Sequence, residues 1–276
     1  MAATPTILMP QRPEPAVPLE FRGLWRRRVL KTADLVDSET TVYWLQAGSI
    51  YADIRVPANR PRCDSLDDAS TGTLRGLAQQ QGFAGNLQAE GNLLTWHRWL
   101  DYQPPTPVAD VGRVHFENEV LIENGALASY MEEWIRVAAP HPDSIALSLR
   151  WERRAGRLTY KRRGVLIAMG SYFMIAIGRT EPLPDRPNLE AIVEDESLEE
   201  AVRRRTLDCV IDFGERQGRL WTITLSTLPF REGASFSTHH GSWSDSAPNF
   251  ANQRVDDTTT RGWQKLEFSD AFSGFP

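Results

Sequence analysis

Between Thr41 and Val56 the chain reads TVYWLQA, then Gly48-Ser49, then IYADIRV: two β-branched and aromatic runs that meet at a two-residue turn. That is the signature of a β-hairpin, and it recurs along the chain. Gly82–Ala89 and Leu93–Tyr102 flank Glu90-Gly91-Asn92, Ile145–Arg153 and Arg157–Arg162 flank Ala155-Gly156, and Thr206–Phe213 and Arg219–Leu228 flank Gln217-Gly218. Gly112–Glu123 reads as one strand, with Val114, Phe116, Asn118, Val120 and Ile122 alternating against His115, Glu117, Glu119, Leu121 and Glu123. Strict alternation means one wet face and one packed face. Asn124-Gly125 marks a turn before a strand at Ser129–Val137. Gly164–Ala168 and Tyr172–Gly178 are apolar on both faces and are expected to be covered on both sides.

Helix signals are few. Ser70–Gln81 ends at a glycine, and Ser197–Arg205 has Ser197 and Glu200 at capping-box spacing, with acids first and arginines last. Each predicted helix follows two strands and a proline loop, Pro57–Pro61 or Pro182–Pro187. Each precedes a hairpin whose second strand carries a tryptophan, Trp96 or Trp221. The stretches FRGLWRRR, around Trp25, and YMEEWIRV, around Trp134, read as the openings of two duplicated units. Antiparallel meanders with one polar face close into barrels because closure removes exposed edges. The expected fold is therefore all-β dominated, two antiparallel barrels in tandem with one short helix each. Residues 1–20 form a proline-rich extended arm, 21–125 the first barrel, and 126–276 the second, with a polar loop at 232–260 and a closing strand.

The residues that carry these signals resemble a known family. The Trp25 opening, VYWLQAGSIYADIRVP, the hairpin from GFAGNL to TWHRWLDYQPP, and ENGALASYMEEW are similar to the Hri1 family. That family has a fungal member of undetermined biochemical role and bacterial relatives. The resemblance runs from Phe21 to Phe268 and implies two lipocalin-like, calycin-type barrels. It implies no catalytic residue set, and one fold hosts many functions.

Composition narrows the partners. With 31 basic and 36 acidic residues the net charge is −5, which gives no reason to expect nucleic acid or an anionic membrane. The longest apolar run, Val165 to Ile177, is broken by Gly170-Ser171 and is too short to span a bilayer. No leader is expected, and Cys63 and Cys209 form neither a CxxC nor a disulfide framework, so the expected setting is cytoplasmic. No GxGxxG after a strand, Walker loop, HExxH, EF-hand or GxSxG is present. The five histidines have no ligand spacing, so neither cofactor nor metal is expected. The expected partner is a small-molecule ligand or substrate; a homodimer is left open.

A lipocalin-like barrel offers a cavity lined by aromatics with a few orienting polar groups. Tyr51, Asp53 and Arg55 share one strand face. Outward, Asp53 and Arg55 are a surface ion pair of small worth; inward, they must be paired, and Arg55 could grip a ligand carboxylate. Trp96 and Arg98 pose the same choice, with a cation–π pair to Trp96 or Trp44 as the structural alternative. Trp44, Tyr51, Asp53, Arg55, Trp96 and Arg98 are thus the candidate ligand contacts. His97 and Asp101, about 13 Å apart by strand rise, cannot pair directly. With an acid such as Glu119 on the next strand, His97 could form a general acid/base pair. Trp25, Trp134 and Trp221 read as packing. Of the acids Glu117, Glu119, Glu123, Glu132 and Glu133, one could be interior with a raised pKa.

Two functions follow as expectations. One is binding of a small, largely apolar or aromatic ligand. The other is a cofactor-independent isomerase, hydratase, lyase or decarboxylase using acid/base residues in the same cavity. An interaction module built on the arm and polar tail ranks behind both.

Overall fold

The computed structural model describes residues 17–159, 162–237, 250–254 and 259–266. Residues 1–16 of the proline-rich arm, His239-His240 and most of the polar loop at 232–260 lie outside the described residues. The first nine strands are β1 (Gly23–Lys31), β2 (Val36–Asp37), β3 (Thr41–Ala47), β4 (Ile50–Val56), β5 (Gln81–Glu90), β6 (Leu93–Asp101), β7 (Asp110–Glu117), β8 (Val120–Gly125) and β9 (Met131–Ala138). Apart from the short β2, they pair in sequence order, and β9 returns to pair with β1 from Leu24↔Ala138 to Lys31↔Met131. With β2 outside the ring, eight strands make a closed antiparallel barrel.

The second sheet repeats that order. It comprises β10 (Ile145–Arg154), β11 (Arg157–Thr159), β12 (Gly164–Met169), β13 (Tyr172–Ile177), β14 (Val210–Gln217), β15 (Leu220–Ser226), β16 (Ser235–Ser237), β17 (Phe250–Arg254) and β18 (Thr259–Lys265). β18 returns to β10 as β9 returns to β1, but among the described residues β16 and β17 do not pair, leaving a half-barrel. The two units also share a defect. The β5–β6 register shifts at Ala84/Gly85, and the β14–β15 register shifts at Phe213/Gly214. A Cβ on either glycine would meet a facing carbonyl oxygen, at 1.9 Å from His97 O or 2.2 Å from Thr222 O. Only glycine lets the backbones approach so closely.

The all-β class is as the sequence indicates, with four corrections. The first barrel does not end at 125. Asn124 and Gly125 lie inside β8, paired with Met131 and Gly112, and the barrel needs β9 to close. YMEEWIRV is therefore the closing strand of the first barrel, and the second unit opens at β10. Gly112–Glu123 is a hairpin: Asn118 turns the chain with φ of 55°, a conformation asparagine tolerates. The second unit has two helices, α2 (Leu189–Glu194) and α3 (Glu200–Arg205), against one, α1 (Thr71–Ala78), in the first. The Ser197 capping box does not form: Ser197 bonds to Asp195, and α3 starts with Glu199 at its N-cap and no side-chain cap, whereas α2 is capped by Asn188, which accepts from Ala191 N at 2.8 Å. Ser70 caps α1 by accepting from Thr73 N at 3.1 Å.

β12 and β13 are covered on both faces, as their apolar sequence requires. Val165, Ile167, Met174 and Ala176 pack with Leu45, Ala52 and Ile54 from the outside of the first barrel, together with Leu74 and Leu77 of α1 and Ile192 of α2. Tyr43 stacks on Phe213 across this junction with ring centroids 4.2 Å apart. Leu166, Phe173 and Ile175 face the other way, into the core of the half-barrel. No described helix is long and apolar enough to cross a membrane.

Candidate functional site

Because Ala52, Ile54 and Val56 are needed at the junction, alternation turns Tyr51, Asp53 and Arg55 into the barrel. The interior is otherwise aromatic. Trp44 meets Trp96 and Trp134 edge-on, with centroids 5.8 and 5.7 Å away. Between these rings and the charged side chains is a cavity of about 260 Å³. Thr32 and Tyr130 line both this cavity and a shallow surface depression with Lys31 and Asn124. The mouth therefore lies between the β1–β2 and β8–β9 connections.

The charged side chains around the cavity form three groups. Arg55 Nε donates to Asp53 Oδ1 at 2.9 Å, and its Nη1 to Glu132 Oε1 at 3.1 Å. Arg27 donates to the same Glu132 oxygen at 2.8 Å and to Asp37 at 2.6 Å. Arg98 joins Asp101 at 2.7 Å and Asp110 at 2.6 Å, and its guanidinium lies 3.6 Å from the Phe83 ring centroid. Arg55 stands 5.1 Å from the same ring, so Phe83 has a guanidinium on each of two strands within cation–π range. The third group has no arginine in hydrogen-bond contact among the described residues. Glu123 accepts from Tyr130 Oη at 2.7 Å and from Trp134 Nε1 at 3.0 Å.

Electrostatics separates these carboxyls. Burial, and then the charge of Glu132 beside it, pushes the Glu123 carboxyl up to about 8. Burial also raises Asp53, against the pull of Arg55. Burial alone would lower the Arg55 pKa, but Asp53 and Glu132 outweigh it and keep the guanidinium charged. Burial and Glu123 raise the Tyr130 hydroxyl, so it stays a neutral donor. Glycines make room for this pair. A Cβ on Gly112 would meet Glu123 Cγ at 2.8 Å, and one on Gly125 would meet the Tyr130 ring at 2.5 Å.

Of the candidate ligand contacts, Trp44, Asp53, Arg55, Trp96 and Arg98 line the cavity. Tyr51 is fully buried edge-on against Phe83, off the cavity wall, and its hydroxyl has no hydrogen-bond partner among the described residues. The cation–π partner of Arg98 is Phe83 rather than Trp96 or Trp44.

The structure does not bring His97, Asp101 and Glu119 together. His97 is exposed and meets Gln88 at 3.1 Å. The bulge at Trp99 reverses the alternation of β6, so Asp101 turns toward Arg98 and away from the side of His97. Glu119 is an exposed turn residue because the chain reverses at Asn118. Tyr130, Trp134, Asp110 and Phe83 are site residues that the sequence did not single out for ligand contact. Glu123 and Glu132 were visible only as members of an acidic group.

No protein-family model and no curated protein matches the chain. Among solved structures it is similar to the crystal structure of the uncharacterized protein YLR301w from Saccharomyces cerevisiae. The identity is 12% and the TM-score 0.48, over 89% of this chain and 98% of that one.

Proposed function

We propose that the first barrel binds a small, largely apolar or aromatic ligand. The observation that carries this reading is the cavity of about 260 Å³ inside a closed barrel, walled by Trp44, Trp96, Trp134 and Phe83 with charged groups at fixed positions among them. That volume lies just below the roughly 300–1,000 Å³ of sites for drug-sized ligands, so the occupant is small. Aromatic walls supply apolar contact, and the charged groups orient the ligand. Membership of the Hri1 family and a cytoplasmic setting belong to the same proposal. The first is supported by the strings around Trp25, Gly48 and Trp134, and the second by two free cysteines.

A second reading is favoured by one observation. Glu123, held protonated up to about pH 8, faces the cavity directly across the ladder from Glu132. An acid and a carboxylate side by side are the equipment for proton transfer, and the reaction would be an isomerisation, hydration, elimination or decarboxylation. Equilibrium dialysis of the protein against a mixed small-molecule extract, followed by mass spectrometry, tests both readings. Retention of a compound at unchanged mass supports binding. Its conversion by sub-stoichiometric protein supports catalysis. Retention of nothing counts against both.

A further inference from the structure

The cavity wall carries two guanidiniums, Arg55 and Arg98, against four carboxyl groups, those of Asp53, Asp110, Glu123 and Glu132. Each guanidinium already has two carboxylate partners: Asp53 and Glu132 for Arg55, Asp101 and Asp110 for Arg98. Arg27 adds a third cation, but it is held by Glu132 and Asp37. Glu123 alone among the four wall carboxyls meets no cation within ion-pair distance among the described residues; its donors are the neutral Tyr130 and Trp134.

This arrangement selects the sign of the ligand's charge. A ligand carboxylate would have to take Arg55 from Asp53 or Glu132 and leave one of them buried without its partner, a costly exchange. A ligand cation displaces no ion pair. It finds the carboxyl of Glu123, that of Glu132 across the ladder, and the indoles of Trp44, Trp96 and Trp134, whose faces attract cations.

We propose that the ligand is a small organic cation, a protonated amine on an apolar or aromatic body, with its ammonium seated at Glu123 and Glu132 and its body among the indoles. This inference rests on the binding reading above. The groups that set the proton on Glu123 are Glu132 on β9, Tyr130 at the mouth, Asp110 on β7 and Arg55 on β4. Glu132 and Asp110 favour the proton, while the Tyr130 hydrogen bond and Arg55 oppose it; with burial added, Glu123 is neutral in the empty cavity at pH 7. Seating an ammonium reverses that balance. The proton leaves the Glu123 carboxyl for solvent, and the carboxylate pairs with the ligand. Affinity for the amine therefore climbs by up to about tenfold per pH unit below about pH 8 and levels off above it.

The test is calorimetric titration of the full chain with 2-phenylethylamine, 2-phenylethanol and phenylacetate, which share a body and differ in charge. The amine is expected to bind at least about tenfold more tightly than the alcohol, with phenylacetate weakest. Titrations in two buffers of different ionisation enthalpy are expected to show release of a proton on amine binding at pH 7. Glu123→Gln is expected to collapse the amine-to-alcohol ratio and abolish the proton release. Should that variant fail to fold, the pH dependence of the unaltered chain carries the test. Equal or tighter binding of phenylacetate or phenylethanol overturns the inference and leaves the binding reading standing. Binding of none of the three at millimolar concentration also overturns it. The dialysis experiment then separates the two ideas, because a retained neutral or anionic compound preserves the binding reading and an empty result removes it.

Discussion

Glu123 on β8 and Glu132 on β9 are directly opposite each other in the ladder, and both face the barrel cavity. Like charges so placed repel. The barrel resolves the conflict asymmetrically. Glu132 receives hydrogen bonds from Arg27 and Arg55, while among the described residues Glu123 receives only the neutral donors Tyr130 and Trp134 and keeps its proton to about pH 8.

That asymmetry makes stability depend on pH. The ordinary carboxyl value for Glu123 is 4.5 and the folded value is about 8. A raised value means that the group's stabilising effect is complete below about 4.5 and is lost as pH rises through about 8. Glu123→Gln keeps the shape and removes the titration. Urea unfolding of the two proteins between pH 5 and 9 is expected to give a difference that grows with pH, the variant becoming relatively more stable by a few kcal/mol, on the order of the cited shift. Parallel curves would place Glu123 in water.

Arg55 binds two carboxylates that have few other partners. Arg55→Met is expected to cost about 3–5 kcal/mol in urea unfolding at pH 7, because it leaves Asp53 buried without its cation and halves the pairing of Glu132. Adding Asp53→Asn to that variant removes the stranded charge and is expected to recover part of the loss. A double variant less stable than the single would mean that Asp53 is satisfied by something other than Arg55.

How much of this was legible depended on the range of each interaction. Local signals read well. Gly48-Ser49 and Gly91 marked their hairpins, and the double-sided apolar run of β12 and β13 pointed to a doubly covered sheet. The inward turn of Asp53 and Arg55 was legible only as a choice, because alternation names two faces without saying which one meets a neighbour; the junction packing of Ala52 and Ile54 decides it. Two local irregularities misled. Asn118 reverses the chain without glycine or proline, so one apparent strand is a hairpin and Glu119 is its tip. The bulge at Trp99 separates Asp101 from the face of His97. The heart of the site was hidden for a different reason. Glu132 meets Arg27 across 105 residues, a contact that exists only because β9 closes onto β1, and no spacing in the sequence encodes closure.

His97 and Glu119 test the corrected geometry from the opposite direction. Both side chains are exposed, one beside Gln88 and the other in a turn. His97→Ala and Glu119→Ala are each expected to change unfolding free energy by less than about 0.5 kcal/mol, and to leave the affinity of any retained ligand unaltered. A large loss of ligand affinity in either variant would move the site to the outer face of the barrel.

Gly112 separates cavity shape from mere stability. Its missing Cβ is the space that the Glu123 side chain occupies, 2.8 Å from Cγ and 2.9 Å from Oε1. Gly112→Ala therefore displaces the carboxyl from the position where Tyr130 and Trp134 hold it, at an overpacking cost of about 1–3 kcal/mol. Glu123 owes its raised value to burial and to Glu132 at that position, so moving it is expected to change the pH-dependent part of stability. Gly91 is the control. It sits in the β5–β6 turn with φ of 62°, and a methyl group there would meet nothing within 4 Å, so Gly91→Ala is destabilising through backbone strain alone, by about 1 kcal/mol. Unfolding measured across pH 5 to 9 should show an altered pH slope for Gly112→Ala and an intact one for Gly91→Ala. The same slope in both variants would mean that the space above Gly112 does not hold Glu123 in its buried, protonated state.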